Sequence, residues 1–291
     1  MGQIFALFLS LLCISCTQRK NRVLEEGDFT RIPLFFLPCS GAPLLKAEID
    51  GMDVCLKVDL GAACDMILKE RILEKIQNKE FRGMSVGYGV QGNQHMSSLY
   101  WIPKITIGNL GFEDAISTEE TMQMVLGNKI GDWSQKEIDR QFTQIDGRIG
   151  SGILSLLQCY FDLPHKALFL ARNLEEIRKC YCVNEFVEVP FEFENGHVIL
   201  NVDTDFGRKK LLLDTGATAS IFRSAQAPDE KKNWVKITLS FEGLDFGQWE
   251  FFLHDFTDRV LADGALGIDF FKKHGIHLDF EHRKAYIQRT Y

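Results

Sequence analysis

Two aspartates, each opening an Asp-x-Gly-Ala turn, are the residues of this sequence best placed to do chemistry. Asp59 and Asp214 each follow a short apolar run, so each carboxylate would stand at the end of a buried strand. Gly61 and Gly216 let the backbone turn tightly and let amide groups approach the carboxylates. If the turns meet, two like charges lie close together, one pKa rises and the pair holds one proton. Such a pair can activate a water as a base and protonate a carbonyl oxygen as an acid.

The two turns belong to a longer internal repeat. Residues 31–36 have a counterpart in 188–193, and residues 146–150 have one in 263–267. Further matched segments follow in the same order, and more than 100 residues separate the copies. A period of that length indicates a duplicated domain, since solenoid repeats are much shorter.

The repeat predicts an all-β protein with two homologous lobes, 28–172 and 185–291. Within each copy, short runs rich in β-branched and aromatic residues alternate with Gly, Asn and Asp, which is typical of antiparallel sheets. A few short helices are expected, at 69–79, 153–157 and 270–273, where apolar residues recur with helical spacing or follow the second glycine.

The second copy resembles the active-site region of retropepsin and pepsin-type aspartic proteases. Leu211 to Ala217 (LLLDTGA), then Ile221 and Phe222, match that family's active-site loop, and 265–267 match its hydrophobic-hydrophobic-Gly element. The succeeding 268–271 are typical of bacterial retropepsin-like members. The likeness covers nearly the whole chain after the leader, once both copies are counted.

That resemblance implies specific roles. Asp59 and Asp214 would be the catalytic pair, Gly61 and Gly216 would shape the loops, and Thr215 would brace them through its hydroxyl. The substrate would be polypeptide in an extended conformation between the lobes, and neither a metal nor an organic cofactor is implied. A chain with two lobes completes its own site, so we expect a monomer.

The first copy departs from the family pattern at one position. The family expects Thr or Ser after each aspartate, and Leu60 has no hydroxyl. Half of the brace between the lobes is therefore missing, and a buried amide that lost its partner would cost about 1–3 kcal/mol. Leu60 favours an alternative: a catalytically inactive lobe pair that binds peptide or protein at the cell envelope. A third alternative is an unrelated duplicated β-protein whose aspartates only start turns.

The first copy is also longer than the second after its aspartate turn. The surplus includes the Gly-rich, hairpin-like stretch 85–93. Tyr88 within it resembles the flap tyrosine of pepsin-type enzymes, which would close over bound peptide. Residues 118–142, polar and acidic apart from 122–126, are predicted to be a surface insertion without a partner in the second copy.

The N-terminus resembles an export signal. An apolar run at 4–14 has the length of a signal-peptide core, and Ile14-Ser15-Cys16 resembles the end of a bacterial lipobox. We therefore expect a signal peptide at 1–16, lipidation of Cys16, and a place in the cell envelope or periplasm. No Lys or Arg precedes the run and Cys13 replaces the usual Leu, so ordinary secretion stays open.

Charge and spacing exclude other classes. The formal net charge of −7 and a pI near 5.6 do not favour nucleic acid, which requires clustered Lys and Arg. Membrane contact is expected only through the lipid anchor. No His or Cys spacing predicts a metal site. Six cysteines follow Cys16, and export would permit one or two disulfides among otherwise buried thiols.

Overall fold

The computed structural model describes most of the chain after the predicted signal peptide. The described residues are 23–24, 27–38, 40–88, 94–121, 134, 143–227, 233–255 and 261–289. They form two β-barrel lobes with a few short helices, so the predicted all-β class is confirmed.

The strands are numbered in chain order. The strands of the first half of the chain, up to residue 171, are β1 (Val23–Leu24), β2 (Phe29–Pro33), β3 (Phe35–Phe36), β4 (Pro43–Ile49), β5 (Met52–Asp59), β6 (Met66–Lys69), β7 (Glu80–Tyr88), β8 (Gln94–Ile107), β9 (Leu110–Glu120), β10 (Gly147–Gly150), β11 (Gln158–Asp162) and β12 (Ala167–Ala171). The strands of the second half, from residue 186, are β13 (Phe186–Glu194), β14 (His197–Thr204), β15 (Gly207–Leu213), β16 (Ile221–Arg223), β17 (Trp234–Phe241), β18 (Leu244–His254), β19 (Gly264–Leu266), β20 (Ile276–Asp279) and β21 (Lys284–Gln288). The α-helices are α1 (Glu70–Leu73), α2 (Ser151–Leu154), α3 (Leu174–Arg178) and α4 (Ile268–Phe271).

Two large sheets are built from these strands. The first has the order β1-β9-β6-β10-β5-β4-β8-β7, with β3 paired to β4. The second has the order β15-β19-β16-β18-β17-β14-β13-β21-β20-β11-β12-β2. Strands β2, β11 and β12 from the first half of the chain thus pair into the sheet of the second half. Strand β11 pairs with β20, so strands from both halves of the chain belong to one continuous hydrogen-bonded sheet.

The sequence duplication is visible in the pairing around each aspartate. Strand β5 pairs in parallel with β10, and β15 pairs in parallel with β19. Strands β10 and β19 then each run antiparallel to the strand that follows the aspartate turn, β6 or β16. Alternate side chains of these strands face the core: Val54, Leu56 and Val58 of β5 are fully or almost fully buried in the main core.

Two sequence expectations need correction. The helix predicted at 69–79 is only the single turn α1: at its start β6 continues through Lys69 in register with Glu120, and toward its end the amide of Gln77 donates to the carboxylate of Asp50. The same pairing shows that the surface insertion predicted at 118–142 was wrong for residues 118–120, which are part of β9. Residues 122–133 and 135–142 lie outside the described residues.

Candidate active site

The structure brings the two Asp-x-Gly turns face to face. A methyl group added at Gly61 would lie 2.5 Å from Asp214 Oδ1, and one added at Gly216 would collide with Asp59 Oδ1. Each carboxylate therefore lies against the glycine of the opposite turn. Only glycine leaves room for this approach, so the two glycines let two acidic side chains share one small space.

Each turn packs against a glycine at the end of the neighbouring strand, Gly150 as the last residue of β10 and Gly267 directly after β19. A methyl group at Gly150 would collide with the carbonyl oxygen of Ala62, and one at Gly267 would lie 3.0 Å from the carbonyl oxygen of Ala217. These glycines are the last residues of the two Gly-x-x-Gly segments recognised in the repeat. Because these glycines have no side chain, the aspartate turns can pack closely against the ends of β10 and β19, which fixes the positions of both carboxylates.

One hydroxyl connects the two turns. Thr215 Oγ1 donates to the carbonyl oxygen of Val58 at 2.9 Å and accepts from the amide of Leu60 at 3.0 Å. Leu60, at the matching position of the first turn, is fully buried. The brace thus runs from the second turn to the first through Thr215, while Leu60 contributes apolar packing.

Asp214 is held by backbone amides. Its Oδ1 accepts from the amide of Gly216 at 2.7 Å and from that of Ala217 at 3.2 Å. Burial, together with the negative charge of Asp59, raises the pKa of Asp214 to about 6, although these amides and Lys57 act in the opposite direction. Asp214 is therefore protonated in mildly acidic solution.

Asp59 is held by two cations. Its Oδ2 lies 3.1 Å from Lys57 Nζ and 3.3 Å from a terminal guanidinium nitrogen of Arg148. Burial acts to raise the pKa of Asp59, but the charges and hydrogen bonds of Lys57 and Arg148 outweigh it, so the pKa lies below its ordinary value. Asp59 is therefore ionised where Asp214 is not.

Arg148 is itself anchored by a second buried acid. Its guanidinium contacts Glu120 Oε1 at 2.8 Å and 2.9 Å, and Glu120 is only 7% exposed. The buried Lys69 lies near the same carboxylate, and burial lowers the pKa of Lys69 to about 8. A line of alternating charges thus runs inward from Asp59 along the first lobe.

Lys57 adds a second contact between the lobes. Its Nζ donates to the carbonyl oxygen of Gly216 at 3.0 Å as well as pairing with Asp59. This bond runs from the first lobe to the second. Part of the bracing lost with the missing hydroxyl at Leu60 is therefore supplied by an ammonium group three residues earlier.

Sequence reasoning missed Lys57, Arg148 and Glu120. A signal was present in the repeat, since Lys57 aligns with Leu212 and Arg148 aligns with Ala265. Two apolar positions of one copy had become cationic in the other. Both lie two residues before the aspartate in the register of the sheet, and their side chains reach the Asp59 carboxylate.

A histidine of the second lobe also approaches Asp59. The tip of the β13–β14 hairpin packs on the first turn, because Gly196 contacts Ala63 and its carbonyl oxygen accepts from Ser151 Oγ. The next residue is His197, whose buried Nδ1 has no hydrogen-bond partner among the described residues. Burial lowers the pKa of His197, and the charge of Asp59 opposes that shift.

Tyr88 ends strand β7, in the hairpin that was predicted to be a flap. Its side chain is 40% exposed and lies on the same face as the exposed Met84 and Val86. Residues 89–93 of the predicted hairpin-like stretch 85–93 lie outside the described residues. The role of Tyr88 therefore stays a prediction.

The remaining chemical predictions concern cysteines, metals and the membrane. Among the described residues, no cluster of three or more His, Cys, Asp or Glu could hold a metal ion. The described cysteines are unpaired thiols: Cys55, Cys64, Cys159, Cys180 and Cys182. The predicted signal peptide and Cys16 lie outside the described residues, and no helix of the described part is long and apolar enough to cross a membrane.

The fold is similar to that of conglutin gamma. The crystal structure of this basic 7S globulin from lupine seeds superposes with a TM-score of 0.61 over 90% of this chain and 95% of that one. The two sequences are 10% identical, so the likeness shows the shared fold alone. Neither a protein-family model nor a curated protein matches the chain.

Proposed function

We propose that this protein is an aspartic-type endopeptidase of the pepsin and retropepsin kind. The observation that carries the proposal is the opposition of Asp59 and Asp214, each seated against the glycine of the other's turn. Their surroundings push the two pKa values apart, downward for Asp59 and to about 6 for Asp214. Such a split is the pattern expected of a base and an acid that act together.

In the proposed reaction the Asp59 carboxylate removes a proton from a water. The water oxygen bonds to the scissile carbonyl carbon while the Asp214 proton moves to the carbonyl oxygen, giving a tetrahedral diol. In the second step the C–N bond breaks as Asp59 returns its proton to the amide nitrogen. One diol hydroxyl gives its proton to Asp214, so the products are a carboxylic acid and an amine and the starting protonation is restored.

The setting of this activity is also a proposal. The apolar run and lipobox-like end of the N-terminus support export to the cell envelope or periplasm with a lipid on Cys16. Polypeptide held between the two lobes of a monomer would be the substrate.

Peptide-library cleavage by the full chain tests the proposal. We expect hydrolysis in the range from about pH 3 to pH 7, and a loss of about a thousandfold or more in Asp214→Asn. The matched control is Asp245→Asn, because Asp245 is exposed and its turn bond to the amide of Gly247 survives the change. Folded wild-type protein that cleaves nothing, or equal cleavage by Asp214→Asn, would contradict the proposal.

A second candidate is a catalytically inactive module that binds peptide or protein. Two observations favour it: Leu60 replaces the usual hydroxyl, and the ion pairs of Lys57 and Arg148 with Asp59 make this carboxylate a weaker base toward the water. Peptides that bind to wild type and to Asp214→Asn with equal affinity, without cleavage by either, would support this candidate.

A further inference from the structure

The charged groups around Asp59 come from several separate elements. Lys57 lies on its own strand β5, Arg148 on β10, and Asp214 on the turn of the other lobe. His197 approaches from β14, and the thiol of Cys64 lies close enough for the Asp59 charge to help raise its pKa. Behind Arg148 stand Glu120 on β9 and Lys69 on β6. The two groups that form ion pairs with the Asp59 carboxylate, Lys57 and Arg148, are both cations.

The cations meet one particular oxygen. Both Lys57 and Arg148 contact Oδ2 of Asp59. Both oxygens of the carboxylate lie close to Gly216 in the opposite turn, and Oδ1, which the two cations do not contact, is the nearer of the two. Lys57 also holds the carbonyl oxygen of Gly216, so it ties the orientation of Asp59 to the position of the opposite turn.

The cations are themselves held in place. Lys57 and Arg148 are neighbours in the parallel β5–β10 register, and Arg148 is oriented by two contacts to the buried Glu120. The side chains of Lys57 and Arg148 are 12% and 16% exposed. Removing the water that would screen them strengthens their effect on the carboxylate.

We infer that Lys57 and Arg148 are positioning residues of the aspartate pair, which keep Asp59 ionised, aim its Oδ1 at the second turn and leave the shared proton on Asp214. This inference rests on the proposed function for its catalytic meaning. Its electrostatic part concerns the protonation of Asp59 and Asp214, which can be measured without any substrate.

The first test follows the carboxyl groups directly. The full chain carrying ¹³C-labelled aspartate carboxyls is titrated by NMR, with Asp59→Asn and Asp214→Asn used to assign the two signals. We expect Asp59 to titrate below the ordinary aspartate value of 3.8 and Asp214 to titrate well above it. A wild-type Asp59 that titrates at or above 3.8 would overturn the inference, whatever the chain does to peptides.

The second test uses variants of Lys57 and the pH profile of kcat/KM. Loss of the ammonium in Lys57→Met raises the pKa of Asp59 and also that of Asp214, on which Lys57 acts in the same direction. The acid and alkaline limbs should therefore both move to higher pH, and kcat/KM on the acid limb should fall about tenfold for each pH unit of displacement. The charge-conserving Lys57→Arg should restore most of the wild-type profile.

The matched control is Lys236→Met, which removes an exposed ammonium paired with Glu250 on the second lobe. It should leave both limbs unmoved, and a similar shift in this control would overturn the inference. If Lys57→Met does not fold, the wild-type carboxyl titration still decides. A low Asp59 titration in a chain without peptidase activity would keep the inference and reject the proposed function; the opposite pair of results would do the reverse.

Discussion

The two aspartate turns share a backbone and differ in what lies beside them. In the second lobe, the paired residues two positions before the aspartate are Leu212 and Ala265, which belong to a small apolar cluster. In the first lobe the same positions are Lys57 and Arg148, which bind Asp59. Glycines and strand pairing therefore suffice to place each carboxylate. Its protonation state depends on the side chains at two positions, 57 and 148 in the first lobe, which differ between the lobes.

The difference extends one strand further from the aspartates. Strands β6 and β9 pair in parallel in the first lobe, as β16 and β18 do in the second. Through these pairings Glu120 aligns with His254. Glu120 is buried and closes the charge network on Arg148. The first lobe thus carries an ionic network where the second has the apolar Leu212 and Ala265 and, one strand further, a histidine.

The largest expected effect comes from breaking that network at Arg148. Arg148→Met leaves Asp59 with one cation and the buried Glu120 without its guanidinium partner, so we expect a loss of about 3–5 kcal/mol in the free energy of unfolding. Denaturant unfolding at pH 7 measures it. The comparison change in the second lobe is Leu212→Met, at the counterpart of Lys57, which neighbours Arg148 in the sheet. It should cost less than about 1.5 kcal/mol because it conserves apolar volume. Equal costs in the two lobes would contradict the comparison.

A smaller effect is expected in the pH dependence of stability. The pKa of Asp214 in the folded chain, about 6, lies above the ordinary value of 3.8. Protonated Asp214 therefore favours the folded state, and that contribution is complete below pH 3.8 and is lost as the pH rises through 6.

Asp214→Asn should remove this dependence. At pH 7 the variant should be more stable than wild type by up to about 3 kcal/mol, and the two should converge below pH 4. The measurement is the free energy of unfolding against pH. Asp59 supplies the contrast, since its lowered pKa makes Asp59→Asn destabilising at pH 7. Stabilisation by both asparagine variants would show that the two sites are electrostatically alike.

The smallest expected effect concerns the brace. Thr215→Val keeps the shape of the side chain but leaves the amide of Leu60 and the carbonyl of Val58 without their partner, at a cost of about 2 kcal/mol. Leu60→Thr restores the hydroxyl of the repeat while removing buried apolar volume, so its net cost should be about 1 kcal/mol. Thermal unfolding of both variants measures the difference. If the thermal stability of Thr215→Val equals that of wild type, the Thr215 hydroxyl does not stabilise the contact between the turns.

Much of the fold was predictable because the duplication is written in local patterns. The apolar runs before Asp59 and Asp214, the glycines two residues later and the second glycine of each Gly-x-x-Gly segment were all recognised from spacing. Element lengths were less predictable. The helix expected at 69–79 is only Glu70–Leu73 in the structure: Lys69 pairs with β9, and the amide of Gln77 binds the carboxylate of Asp50. Both contacts depend on residues distant in the chain.

The sequence by itself predicted five residues of the candidate site: two aspartates, two glycines and one threonine, all within two short turns whose conformations are local. Only the tertiary structure decided their electrostatics. Arg148 reaches Asp59 across 89 residues of chain, and Thr215 reaches Val58 across 157. Charges act through space and strongly where water is excluded, so the state of each carboxyl group depends on which strands lie side by side.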